Sequence, residues 1–177
     1  MRHKLRCLST TFALLSLSVG VMAADNMRLH GTLVAQPCVI APGDELVQLD
    51  FGTVIDKHLY HYQKTASEVF KLRLSKCDLS LGTTVQITLS GDENPALPGL
   101  LALDASSQAS GIAIGIESIE GKAMRLNQPG EQRYPLSAGD NYLRMQAYVQ
   151  AEPEAMINKT INRGPFRATM TFALSYD

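Results

Sequence analysis

The sequence predicts an all-β sandwich, and three observations predict it. Short apolar segments alternate with polar residues at a period of two. Turn-forming Gly, Pro, Asp and Ser residues separate those segments at short intervals. Helical periodicity is almost absent. Seven to nine short strands are expected, at spacings close to those of a β-sandwich.

The first stretch lies outside any fold. Arg2, His3, Lys4 and Arg6 precede an uncharged apolar run over residues 8–21, and Val21-Met22-Ala23 places small side chains at the −3 and −1 positions. This is the pattern of a secretory signal peptide, residues 1–23, cut after Ala23 with Ala24 as the alternative. A membrane anchor is the competing reading, but the run is shorter than the roughly 20 residues that a bilayer core needs.

Without residues 1–23 the chain keeps 13 basic and 17 acidic residues, a net charge of −4. No basic stripe remains for nucleic acid, and no membrane insertion is expected of the mature chain. Cys7 leaves with the signal peptide. Cys38 and Cys77 remain, and an even pair in an exported chain reads as one disulfide closing a loop of about 40 residues. A metal site on this pair is disfavoured, because there is no C-x-x-C and no His or Cys at ligand spacing.

Along the mature chain, Met27, Leu29, Gly31 and Leu33 alternate with Arg28, His30 and Thr32. Leu46-Val47-Gln48-Leu49-Asp50-Phe51 alternates next and runs into Gly52. Val69, Leu72 and Leu74 lead to Cys77. Val85, Ile87 and Leu89 form a strand that SGDENP, from Ser90, breaks. Ile112, Ile114 and Ile116 follow, with Glu120-Gly121 as a hairpin turn. Residues 152–156 have room for one helical turn. Leu143, Met145, Ala147 and Val149 make a further strand. In the final one, Phe166, Ala168, Met170, Phe172, Leu174 and Tyr176 alternate with mostly polar neighbours. No repeat, low-complexity tract or linker interrupts the chain, so residues 37–177 read as one domain preceded by an extension over residues 24–36. A long apolar-faced strand at the end of the chain raises the question of what covers its other edge.

The ordered set of these features resembles the pilin subunits of the chaperone–usher pathway. It comprises the signal peptide, the alternating extension with Gly31, Cys38 and Cys77, LDFGTV at 49–54, SGIAIGIES at 110–118, AYV at 147–149 and the ending from Gly164 to Tyr176. ALPGLL at 96–101 and AYVQAEPEAM at 147–156 are similar to the minor adaptor pilins of P-type pili. The resemblance covers essentially the whole mature chain.

It implies an incomplete immunoglobulin-like sandwich that lacks its last strand and is completed by donor-strand complementation. A periplasmic pilus chaperone would fill the gap first, and the N-terminal extension of a neighbouring pilin would then replace it. By the same resemblance, Met27, Leu29, Gly31 and Leu33 point into a neighbour's groove, with Gly31 where that groove is too shallow for a side chain. Gly164, Phe166, Ala168, Met170, Phe172, Leu174 and Tyr176 line this subunit's own acceptor groove and chaperone-binding surface, and basic residues of the chaperone hold the carboxylate of Asp177. The implied route runs through the periplasm and an outer-membrane usher to a fimbria on the cell surface. The physical case stands beside the family one: with one strand missing, Phe166, Met170, Phe172 and Tyr176 face a wet trench, and their burial contributes on the order of 1.5–3 kcal/mol each.

Other signals are weaker. His58 and His61 in HLYH are read as solvated loop residues without a third metal ligand. Asn158-Lys159-Thr160 matches a glycosylation sequon, which a bacterial export route leaves without meaning. GIAIGI lacks the Lys-Ser/Thr and the helix of a phosphate loop, and the carboxylates Asp92, Glu93, Asp104 and Glu117 form no pair. No Ser/His/Asp triad is expected, and the chain is read as non-enzymatic, without cofactor. The expected function is a structural fimbrial subunit, an adaptor in the first place, with a rod pilin or a chain terminator as alternatives. A reading of another class is a self-complete secreted sandwich that binds sugar, for which Tyr60, Tyr62, Tyr134 and Tyr142 are the loop aromatics.

Overall fold

The computed structural model describes Leu33, residues 35–129 and residues 132–177. Contacts divide the chain into Met1–Leu33 and Val34–Asp177, and the described residues fall almost wholly in the second unit. Of the expected donor positions, Met27, Leu29 and Gly31 lie outside the described residues. Leu33 is fully exposed.

The second unit is a sandwich of two three-stranded antiparallel sheets. One sheet joins β1 (Glu68–Cys77), β5 (Gly139–Ala151) and β3 (Ile112–Ser118) in the order β1-β5-β3. The other joins β4 (Arg133–Pro135), β2 (Thr84–Ser90) and β6 (Thr171–Tyr176) in the order β4-β2-β6. Leu72, Leu74, Ile114, Ile116, Leu143 and Met145 of the first sheet meet Val85, Ile87 and Leu89 of the second, all buried. Strand β3 is buried on both faces, because the Gly115 it carries lets the Tyr148 ring lie directly on its outer side: a Cβ at Gly115 would come within 2.2 Å of that ring. Cys38 and Cys77 are bonded, with Cα atoms 4.1 Å apart, and Val39 and Ser75 exchange backbone hydrogen bonds beside them.

Among the described residues six strands stand where seven to nine were expected, and the differences have physical causes. Residues 46–51 alternate as read, with Val47, Leu49 and Phe51 half-buried and Leu46, Gln48 and Asp50 exposed. They form no ladder, since no backbone–backbone hydrogen bond engages them among the described residues. The final strand is shorter than its alternation. Only residues from Thr171 onward pair with β2, while Pro165 and Arg167 bond instead to the loop over residues 104–108. Strand β4 leaves no signal in the sequence because three residues carry too little periodicity, and it places Tyr134 in a sheet rather than a loop.

His58 and His61 sit on a helix, α1 (Asp56–Tyr62), not on a loop. Two turns with a single buried residue, Leu59, leave no periodic signal in the sequence. The helical turn at 152–156 is the start of α2 (Pro153–Asn158), opened by a proline at its first turn. The expected turn at Glu120-Gly121 is present, with the Gly121 N–H donating to Ser118 O at 2.9 Å.

Candidate functional site

Among the described residues the second sheet ends at β6, and what lies beyond it is a groove. Thr84 and Asp177 exchange both backbone hydrogen bonds, at 3.2 and 3.1 Å. In an antiparallel ladder such pairs alternate with pairs whose N–H and C=O point away from the partner strand. From Asp177 the alternation makes Ser175, Ala173 and Thr171 bond toward β2. It continues at Arg167, which accepts from the Asp104 N–H at 2.8 Å and donates its own N–H to Ser107 Oγ at 3.0 Å. The backbone groups of Phe166, Ala168, Met170, Phe172, Leu174 and Tyr176 are therefore aimed at the open side. These are the residues whose side chains are half-buried against the core, while every residue between them is exposed.

Facing this edge is the extended segment 45–54. Together the two walls enclose a groove of about 1010 Å³. Its floor is the inner face of both sheets, including Phe70, Leu72, Ile87, Leu89, Ile116 and Met145. The edge of the sheet and the apolar floor are thus open along the same line. An extended chain laid there would find unpaired donors and acceptors at the β6 edge and apolar pockets beneath.

Of the residues expected in the groove, Gly164, Phe166, Ala168, Met170 and Phe172 line it. Leu174 and Tyr176 continue the same face along β6, opposite Ile87 and Val85. Burial raises the Tyr176 phenol above its ordinary range. Gly164 opens the wall with φ 149°, and a Cβ there would come within 2.7 Å of the Gln108 Cβ, so glycine is required by backbone and by space together. Asp177 accepts from the Thr83 N–H through its main-chain oxygen at 2.9 Å, and its side-chain carboxylate lies 3.0 Å from Arg133.

The opposite wall is not legible in the sequence. Val47, Leu49 and Phe51 were visible as an apolar face, but nothing in the sequence told which strand they confront. Beyond Phe51, a second hollow of about 240 Å³ is lined by Thr53, Val54, Ile55, His58, Thr65, Ala66 and Glu68. Its signal in the sequence is nil, since it joins the end of the extended wall, a helix and the start of β1. The loop aromatics do not gather into a sugar site. Tyr60 takes the Ile161 N–H at 3.1 Å, Tyr62 meets His58 at a tilt and His61 edge-on, Tyr134 packs inward from β4, and Tyr142 lies under Lys71 on the first sheet. Among the described residues, no three His, Cys, Asp or Glu side chains are grouped to hold a metal ion, and no helix is long and apolar enough to cross a membrane.

An open sheet edge over an apolar trench, a disulfide joining Cys38 to the end of β1, and an extension whose sequence alternates narrow the family sharply. The model of one family, described as fimbrial protein, matches residues 27–177. The chain belongs to the fimbrial protein family.

Its fimbrial relatives include the putative minor fimbrial subunit PmfF of Proteus mirabilis, 31% identical, with 95% of this chain and 96% of that one covered. The fimbrial adapter PapK of Escherichia coli is 30% identical, covering 91% and 93%. Among solved structures, the P pilus rod subunit PapA superposes with a TM-score of 0.69 at 21% identity, over 80% of this chain and 100% of that one. That likeness carries the fold: an immunoglobulin-like pilin sandwich whose second sheet, among the described residues, has no strand beyond β6. The fimbrial protein is thus a structural subunit and not an enzyme.

Proposed function

We propose that this fimbrial protein is a minor, adaptor-type subunit of a chaperone–usher fimbria that assembles by donor-strand exchange. Its groove receives the N-terminal segment of a neighbouring pilin, and its own extension, with Met27, Leu29, Gly31 and Leu33 inward, enters the groove of the next. The signal peptide directs it to the periplasm, where a chaperone occupies the groove until an outer-membrane usher passes the subunit to the cell surface.

One observation carries the reading: from Phe166 to Tyr176 the same residues offer free backbone groups to the open side and half-buried side chains to the trench. Strand addition uses both, since main-chain hydrogen bonds supply affinity and side-chain pockets supply register. Left open, such an edge invites aggregation. The adaptor role is supported by the resemblance to PapK and PmfF, which are named adapter and minor subunit. A rod role is the second reading, supported by the 27% identity to a Proteus mirabilis protein named major fimbrial subunit.

The test is co-expression with and without a periplasmic pilus chaperone. The subunit is expected as a soluble complex with the chaperone and as an aggregate or degradation product alone. A cooperative soluble monomer without the chaperone overturns the reading. Gly31→Lys is expected to leave the chaperone complex intact and abolish donation to the neighbour. Deletion that shortens or detaches whole fibres favours an adaptor, whereas deletion that removes the shaft favours the rod.

A further inference from the structure

Strand β2 supports only part of the groove wall. Its last residue, Ser90, lies opposite Thr171. Since Thr84 and Asp177 exchange both backbone bonds, the same alternation would next bring Asp92 to Thr169 and Asn94 to Arg167. Neither pairing forms. The Asn127 side chain accepts the Gly91 N–H at 3.2 Å and donates to the Gly91 carbonyl at 2.9 Å. The Asp92 carbonyl accepts from the Ala102 N–H, and the Asn94 N–H goes to Leu100 O, both at 2.8 Å. The chain beyond β2 is turned away, and among the described residues no strand pairs with residues 164–169.

The loop over residues 104–108 stands in for it. The Ser107 N–H donates to Asp104 O at 2.9 Å and closes a turn. From that turn the Ser107 hydroxyl bonds twice to one residue. It accepts from the Arg167 N–H at 3.0 Å and donates to Arg167 O at 3.1 Å. A residue of a paired strand makes the same exchange through its backbone. Here a single hydroxyl, able both to donate and to accept, makes both bonds. The Asp104 N–H adds a further bond to Arg167 O at 2.8 Å, and the Asp104 carboxylate accepts from the Thr169 hydroxyl at 3.0 Å.

Resting on the groove reading above, we propose that Ser107, backed by Asp104, is a positioning residue for the strand that fills the groove. It occupies the place of the missing strand residue opposite Arg167. The peptide unit is planar, so the Arg167 N–H lies in one rigid plane with the Phe166 carbonyl, and the Arg167 carbonyl in one plane with the Ala168 N–H. Holding both backbone groups of Arg167 on the loop side therefore aims the Phe166 C=O and the Ala168 N–H at the open edge, where an added strand must find them. From Thr171 to Tyr176 the same aim is set by β2. The two halves of the acceptor edge thus depend on different partners, and Ser107 governs the half that β2 does not reach.

The test is amide hydrogen exchange on the complex with a co-expressed periplasmic pilus chaperone. In the parent complex the Ala168, Leu174 and Tyr176 amides are expected to be protected by the strand lying against them. Ser107→Ala is expected to speed exchange at Ala168 roughly tenfold, the scale of one lost hydrogen bond, with Leu174 and Tyr176 unchanged. Ser107→Thr keeps the hydroxyl and is expected to restore protection at Ala168. Thr169→Val removes only the bond to the Asp104 carboxylate and is expected to speed Ala168 in the same selective way by a smaller factor, which gives a second route should Ser107→Ala yield no complex. Faster exchange confined to Arg167 overturns the proposal, since the loop would then hold only itself. An even rise along residues 166–176, or no change at Ala168, overturns it as well. Absence of protection at Ala168, Leu174 and Tyr176 in the parent complex overturns the groove reading itself.

Discussion

Arg163 donates to the Asp56 carboxylate through Nε at 3.0 Å and Nη2 at 2.6 Å, tying the first turn of α1 to the residue just before Gly164. The pair fastens the far ends of the two groove walls to each other. Hydrogen bonding from Arg163 holds the Asp56 carboxyl below its ordinary range, with burial opposing and the Lys57 N–H adding to it. A carboxyl lowered in the fold stabilises above its unfolded value, here 3.8, and the benefit is lost as pH falls through the folded value. Arg163→Gln is therefore expected to lower thermal stability slightly at neutral pH and to match the parent in strong acid. Melting curves at both pH values check this, and a difference that persists unchanged in acid refutes the assignment.

The disulfide should matter more than any single ion pair. Cys38 and Cys77 are separated by 39 residues, and loop-closure entropy for that span is worth about 4 kcal/mol. Replacing both by alanine is expected to destabilise the chaperone-bound subunit by that order, read from denaturant unfolding of the complex. A loss well under 1 kcal/mol would show that the bond constrains little of the unfolded chain.

On the outer face of the first sheet, Gly115→Ala pushes a methyl group to where the Tyr148 ring now lies. Tyr148 is 7% exposed and carries Lys64 over its ring at 4.3 Å, so its displacement uncovers β3. The expected cost is about 1–3 kcal/mol, with recovery of the chaperone complex unchanged because the groove is on the other side of the sheet. Loss of the chaperone complex with stability intact would contradict the separation of the two faces.

Tyr176 offers a spectroscopic handle on the groove. Burial raises its phenol, so the neutral form is favoured in the fold. The sign follows: its contribution is complete below the ordinary tyrosine value of 10.0 and is lost as pH rises through the folded value. A strand seated beside it buries the ring further, so alkaline titration of this phenol should shift upward on complex formation. Tyr176→Ala is expected to remove that shift and to reduce recovery of the chaperone complex. Unchanged recovery would take Tyr176 out of the binding surface.

Much of this protein is legible in one dimension. The period-two pattern of residues 166–176 already names the side chains that face inward, and the structure places each of them so. The same holds for Val47, Leu49 and Phe51, although the sequence suggested a paired strand where there is only an extended wall. The difference is that alternation reports burial of one face, whereas a strand requires a hydrogen-bonding neighbour. Helix α1 and strand β4 were invisible because each is too short for a period to emerge.

The sequence by itself determined the class of sandwich, the inward residue set of the final strand, and the two cysteines available to bond. Those properties depend on local alternation and on which residue types exist. Only the tertiary structure decided that 45–54 faces 164–172, that β6 is left with an open edge, and that Phe51 meets Phe166 where the groove narrows. The facing walls and the Phe51–Phe166 contact bring together residues more than a hundred positions apart, and no local preference encodes such a meeting; it follows from how two sheets pack over a shared core.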